Sequence, residues 1–511
     1  MELVNPNANV LSILPEIIVA VAGIIVMVYD CFAPTQRKVS GAISLIGLAS
    51  AAAALFYLWM GEAGSLANAW NGMIAFDNLR FSFTFVFLFV SALTVLISSV
   101  WVEEEKVPVG EYHSLLLFAT VGMMLMASGN DMVVIFLGLE TLSIATYVMA
   151  GLRRTDLRSN ESALKYFILG SFSSAFLLYG MALIYGATAS TNITEIAARI
   201  ADPNFPALLL VGGAMLVVGF GFKVATVPFH IWTPDVYEGA PTPVTAFMAV
   251  GSKAAGFASF VRVFVLGFPL IAASEASGFL HESWISALTV MAILTMTIGN
   301  IAAIVQNNVK RMLAYSSIAH AGYALVGLIG AGVAQTAEKR DEGIFSVAFY
   351  MLTYAVTNLG AFAIVALLAQ KNDRRTEFED YNGIGFRSPV LAFALSLFML
   401  SLLGLPLTAG FMGKVMVFRP ALEAGNSALT LLVVIAVINT AISAYYYLRL
   451  IIVMFFRERT TDWFAPRIPT SLAAVLLITI LGVLYLGIFS DSVLEAFKFV
   501  PEKAVVSVGA R

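Results

Sequence analysis

The chain has 511 residues, of which 59% are hydrophobic and 12% charged, and 29 Lys and Arg against 32 Asp and Glu leave a formal charge of −3. Soluble domains carry about 25% charged residues, so a soluble globular protein is excluded. A single cysteine, Cys31, excludes a thiolate metal site, an iron–sulfur cluster or a disulfide framework built by this chain, and the balanced charge gives no footprint for nucleic acid.

Stretches free of Asp, Glu, Lys, Arg and His run over 39–61, 81–102, 114–130, 166–192, 283–308, 343–370, 388–413 and 468–490. A membrane-crossing helix needs roughly 20 apolar residues, and these eight stretches meet that requirement. Six further segments, 11–32, 132–152, 205–230, 241–266, 312–337 and 427–456, are as apolar but carry isolated ionisable residues. The prediction is an all-α polytopic membrane protein of about fourteen transmembrane helices. The first segment lacks a basic leading region and a small-residue cleavage site, which predicts a retained helix rather than a signal peptide.

Loop charges alternate. One set of loops holds Arg37, Lys38, Lys106, Arg153, Arg154, Arg158, Lys310, Arg311, Lys371, Arg374, Arg375, Arg387, Arg457, Arg459 and Arg467, and the opposite set holds 8 basic residues. Basic loops stay cytoplasmic, so both termini are expected in the periplasm of a bacterial inner membrane, with a thylakoid as the alternative. The acidic run Glu103 to Glu105 and the polar loop 371–380 read as solvated helix caps, and no linker divides the chain, which reads as one membrane domain over 1–511.

Ionisable side chains near a bilayer centre cost roughly 2.5 to 3.5 kcal/mol on insertion scales, so each one needs a reason. Glu140 lies about 13 Å into its segment, and Lys253 about 18 Å beyond Pro241, both too deep to snorkel. Lys223 sits among Gly219, Gly221 and Pro228, and Lys414 follows Gly404, Pro406, Gly410 and Gly413; both runs predict interrupted helices. Two interrupted, lysine-bearing helices, one in each half of the chain, are the pattern of transporters built from internal repeats. Burial disfavours an ammonium and a nearby carboxylate restores it, so a moving partner switches proton affinity. His230, seven residues after Lys223, shares its face if the helix persists, and His320 lies beside Tyr315, Ser316 and Ser317; both are candidates for the same polar path. Lys165, near the end of its segment, reads on its own as a snorkelling lysine. The competing reading of the whole set is static ion pairing between helices.

The runs PFHIWTPDVYEGAPTPVTAF, LPEIIVAVAGIIVMVYD, LGLETLSIATYVMAG and GLPLTAGFMGK resemble the N chain of proton-pumping NADH–quinone oxidoreductase, respiratory complex I, over essentially the whole length. The wider family includes the other antiporter-like chains of that complex and the large chains of multisubunit cation/proton antiporters. The resemblance implies three N-terminal helices (11–102), two inverted five-helix repeats (112–266 and 283–456), each with one broken helix, and a last helix (468–490). It implies that Glu140 and Lys223 form a coupled pair with Lys165 nearby, that Lys253 is the central proton relay and Lys414 the terminal one. It also implies that this chain holds no cofactor, with FMN, iron–sulfur clusters and quinone in partner subunits. The implied partners are other antiporter-like and small membrane subunits, a peripheral redox arm and the lipid bilayer. The alternative function is a chain of a cation/proton antiporter without redox partners.

Overall fold

The computed structural model describes residues 9–33, 37–62, 69–105, 107–200, 205–269, 275–458 and 467–498; Lys106 and Arg459 of the basic loops lie outside them. Among the described residues the chain is helical, with no strand. Three isolated bridges, Ile74 to Gly129, Asp131 to Asn192 and Asn308 to Glu377, tie loops together.

The first three helices are α1 (Leu14–Phe32), α2 (Arg37–Glu62) and α3 (Asn78–Glu105). Then come α4 (Val109–Ser128), α5 (Met132–Ala150), α6 (Leu157–Thr188), a short α7 (Ile193–Arg199), α8 (Pro206–Val224), α9 (Thr233–Gly239) and α10 (Thr242–Leu266). The second half holds α11 (Glu275–Ile304), α12 (Val309–Gly332), α13 (Ala337–Ala369), α14 (Pro389–Leu403), α15 (Ala409–Glu423), α16 (Ser427–Phe456), α17 (Thr470–Ile488) and α18 (Ser490–Lys498). Among the described residues thirteen helices are long and apolar enough to cross a membrane, and α14 with α15 supplies the fourteenth predicted span in two pieces.

Helix ends fall where the sequence turns polar, because first-turn N–H groups need acceptors that apolar side chains lack. Asp131, Asp156, Asn308 and Asn426 each accept such an N–H, at α5, α6, α12 and α16. The two predicted interruptions are present. α8 stops at Val224 with Ala225 in the left-handed region (φ 62°), and α14 stops at Leu403 with Gly404 at φ 96°. Gly404 is suited to that turn because it has no Cβ to clash there.

Helices α10, α12 and α13 run through the centre almost wholly buried, whereas α1, α2, α6, α16 and α17 keep most of their surface on the outside. Without water to drive apolar faces together, close backbone approach holds such bundles. At the α4–α5 crossing a Cβ on Gly122 would meet the Gly138 carbonyl oxygen at 2.6 Å, so only glycine permits that contact. The central α10 contains two π-helical stretches, Met248–Ser252 and Val261–Leu266, and Lys253 follows directly on the first. Such widened turns are frequent at functional sites.

One expectation is corrected. Glu105 and Asp373, read as solvated caps, are buried, and so are Arg153 and Lys310 of the basic loops. Arg153 Nη1 and Lys310 Nζ both reach Asp373 Oδ2 at 3.0 Å, Glu105 pairs with Arg153 at 3.4 Å and accepts the Asn372 N–H, and Lys310 also donates to the Ala240 carbonyl at 2.7 Å. A buried charge is tolerated when it is paired, and these four supply the opposite charges for one another, while Arg153 Nε and Nη2 are left without a hydrogen-bond partner among the described residues.

Candidate functional site: a buried line of lysines

Glu140, on α5, is partly exposed at the edge of the bundle and accepts a hydrogen bond from Ser174 Oγ of α6. One turn later on the same helix, Ser143 donates to the Leu139 carbonyl at 2.6 Å and accepts from Lys223 Nζ at 2.9 Å. Lys223 is the penultimate residue of α8, so the helix end delivers its ammonium to the turn next to Glu140. Among the described residues Glu140 and Lys223 form no direct ion pair, and Ser143, one turn along from Glu140, receives the Lys223 side chain. The carbonyls freed at the end of α8 are taken up locally: Trp232 Nε1 donates to Phe222 O at 3.1 Å and the Thr226 N–H to Gly221 O at 2.9 Å. Trp232 in turn stacks on Tyr166, with ring centroids 4.5 Å apart, and the Tyr166 ring lies 6.0 Å from Lys223 Nζ.

The line continues on α10. A Cβ on Gly256 would lie 3.5 Å from Lys223 Cγ, so the turn after Lys253 rests against the Lys223 side chain. Lys253 Nζ donates to the carbonyl of Ser317 and, at 2.6 Å, to its Oγ. One turn along α12 from Ser317, the His320 ring is held by Tyr350 OH at Nδ1 (2.7 Å) and Tyr447 OH at Nε2 (3.2 Å), and Tyr447 also meets Ser316 Oγ at 2.5 Å. The Tyr323 ring bridges onward, edge-on to His320 at 5.6 Å and 4.8 Å below Lys414 Nζ. Lys414, in the second half of the broken pair, points back across the interruption and donates to Leu402 O at 3.1 Å and Leu403 O at 2.9 Å. Those are the orphan carbonyls at the negative end of α14. The two interruptions are thus used differently, with Lys223 before its break and Lys414 beyond its own.

Lys223, Lys253 and Lys414 are 4%, 1% and 5% exposed, and among the described residues none has a carboxylate within 4 Å. Static ion pairing therefore does not account for them. Their partners are hydroxyls and carbonyls, which can hold an ammonium without fixing it.

The structure does not bring Lys165 to this line. Its side chain is 40% exposed and its ammonium pairs with Glu161 and Asp235, both at 2.7 Å, while Arg311 pairs with Asp235 at 2.8 Å and Glu238 at 2.7 Å. These five side chains border a cavity of about 230 Å³ at the basic-loop end. Burial pushes the Asp235 carboxyl up, and the bonds from Lys165 and Arg311 outweigh it and hold the carboxyl below its usual range. His230 lies within the interruption after α8; the helix does not persist, so the same-face argument with Lys223 lapses, and its Nδ1 is buried without a hydrogen-bond partner. Ser143, Ser174, Tyr350 and Tyr447 were not foreseen as members of the line. Among the described residues no three His, Cys, Asp or Glu side chains gather to hold a metal.

Residues 129–443 match the family described as NADH:quinone oxidoreductase/Mrp antiporter, TM. NADH-quinone oxidoreductase subunit N of Trichlorobacter lovleyi is 44% identical over 494 residues, covering 96% of each chain. A chain of respiratory complex I from Thermus thermophilus, solved with bound aureothin, superposes with a TM-score of 0.77 at 35% identity, covering 95% of this chain and 99% of that one. A chain of the Mrp complex from Dietzia sp. DQ12-45-1b reaches a TM-score of 0.79 at 20% identity over 98% of each, a likeness of fold.

Proposed function

The chain belongs to the NADH:quinone oxidoreductase/Mrp antiporter family, in its subunit N branch, and on that premise we propose that the line from Glu140 to Lys414 is its proton path. The chain is a multi-pass membrane subunit of NADH-quinone oxidoreductase, the H⁺-translocating complex I, whose FMN and iron–sulfur centres are in the peripheral arm subunits. It contributes to the enzyme by moving protons, and electron transfer takes place elsewhere.

The observation that carries the reading is Lys253, on a central, almost wholly buried helix, whose ammonium group among the described residues hydrogen-bonds Ser317 and no carboxylate. A charge shift at Glu140 changes how strongly Lys223 holds its proton; the turn after Lys253 rests against the Lys223 side chain, and His320 with Tyr323 connects Lys253 to Lys414. Protons would then leave from Lys414 toward the side opposite the basic loops. The loop charges favour those loops as cytoplasmic, both termini as periplasmic and a bacterial inner membrane as the location. The α4–α5 and α11–α12 pairings and the two broken helices support two inverted repeats over 112–266 and 283–456.

The test is NADH-driven, quinone-dependent proton uptake in inverted membrane vesicles carrying Lys253→Ala, with assembly followed on native gels. Intact assembly with lost pumping is the expected result. Unchanged pumping would make Lys253 a packing charge and remove the proposed path.

A further inference from the structure

Asn300, on α11, is fully buried and lies beside the proposed path without belonging to it. Its Nδ2 donates to Tyr323 OH at 3.1 Å, to the Asn439 main-chain carbonyl at 3.1 Å and to Asn439 Oδ1 at 3.3 Å, and its Oδ1 accepts from Tyr446 OH at 2.9 Å. A main-chain carbonyl only accepts, so the Asn439 carbonyl dictates which end of the Asn300 amide faces it. The orientation of the amide is therefore determined, and with it the polarity of both tyrosines: Tyr446 gives its hydrogen, and the Tyr323 oxygen receives one.

Both tyrosines touch the segment between His320 and Lys414. The Tyr323 ring stands between them, and Tyr446 packs with its ring centroid 4.3 Å from that of Tyr447, whose hydroxyl bonds His320. We propose that Asn300 is a positioning residue for this segment, holding Tyr323 under Lys414 and Tyr446 against Tyr447 so that the His320 and Lys414 ends stay in register. This rests on the reading of Lys414 as a proton carrier. An amide suits the task because it is a strong donor and acceptor that does not itself titrate, so it orients its neighbours without taking the proton.

The experiment uses the whole complex in inverted vesicles carrying Asn300→Leu, Tyr323→Phe, the double variant or Lys414→Ala. Each is read for assembly on native gels, for proton uptake with quinone and for the pH profile of quinone-linked turnover. Asn300→Leu should assemble and lower proton uptake on the order of tenfold, with a displaced pH profile, because misaimed transfer groups cost rate steeply. Tyr323→Phe, which keeps the ring and loses the hydroxyl, should displace the profile in the same direction, and the double variant should be no worse than Asn300→Leu because the Asn300–Tyr323 bond that Tyr323→Phe removes is already cut by Asn300→Leu. Normal pumping by Asn300→Leu beside a defective Lys414→Ala overturns the positioning role and leaves the path standing. Normal pumping by Lys414→Ala overturns the path and the positioning role with it. Should Asn300→Leu fail to assemble, an unaltered pH profile in Tyr323→Phe overturns the proposal.

Discussion

Arg153 and Asp373 stand 220 positions apart and meet at 3.0 Å, joining the turn after α5 to the turn after α13. Lys310, at the start of α12, lands on the same carboxylate oxygen, and Glu105, at the end of α3, holds Arg153 and the Asn372 N–H from the other side. Helices from the N-terminal three, the first half and the second half are thereby clamped at one face. The clamp sits beside the start of α10, because Lys310 also binds the Ala240 carbonyl. It fixes the base of the helix that carries Lys253.

Removing one partner from a buried ionic cluster leaves the others uncompensated, at roughly 3–5 kcal/mol. Asp373→Asn should therefore lower the thermal midpoint of the detergent-solubilised complex and reduce its yield on native gels. Asp341→Asn, changing a half-exposed carboxylate paired with its neighbour Arg340, should cost within about 1 kcal/mol. Equal midpoints for the two variants would show that the clamp carries no stability.

The same cluster has a pH signature. Burial pushes the Asp373 carboxyl up, but the Lys310 and Arg153 charges outweigh it and bring it down from 3.8 to about 2. The unfolded chain then holds this proton more tightly than the folded one, so the contribution is complete above about pH 4 and is lost as pH falls toward 2. The stability difference between the wild-type chain and Asp373→Asn should be constant from pH 7 to 5 and shrink below 4. A difference that grows on acidification would contradict the assignment.

The spans were legible because membrane helices announce themselves as long charge-free runs, and the interruptions because glycine and proline cluster at Lys223 and before Lys414. Depth alone picked out Glu140 and Lys253. The clamp was not legible: Arg153, Lys310 and Asp373 look like loop charges, and only contacts 63 and 220 residues away bury them. Ser143 was hidden for a different reason. A serine in an apolar helix commonly bonds its own i−4 carbonyl, as Ser143 does to Leu139, and nothing in the sequence shows that the same oxygen also receives Lys223. The same-face link from Lys223 to His230 assumed a helix that ends at Val224.

Gly404 offers a test of the second interruption. At φ 96° a side chain is strained by about 1 kcal/mol or more, and a Cβ there would lie 3.4 Å from Lys414 Cδ and 3.5 Å from its Nζ. Those are ordinary contact distances, so Gly404→Ala should act through strain in the turn whose Leu402 and Leu403 carbonyls hold Lys414, leaving assembly largely intact and reducing quinone-linked proton uptake several-fold, whereas Gly425→Ala, also at positive φ but with open space around it, should pump normally. Comparable pumping by the two would mean that the Lys414 position tolerates displacement.

Lys165 and Lys223 should separate most clearly. Lys223 donates to Ser143 in the buried interior, whereas Lys165 meets Glu161 and Asp235 at the margin of an open cavity, nine residues and so about 13 Å of helix before Ser174, the partner of Glu140. Exposed pairs of this kind contribute about 0–1 kcal/mol and are screened by salt. Lys223→Gln should therefore abolish pumping at every ionic strength. Lys165→Gln should reduce proton uptake by less than about threefold, with a deficit that depends on salt, since the loss takes the ion-pair partner from Glu161, leaves Asp235 with Arg311 and alters the field at the cavity mouth. Vesicle proton uptake between low and high salt measures both. Complete loss in Lys165→Gln at all salt concentrations would place it with Glu140 and Lys223 in the working complex, against the position it takes here.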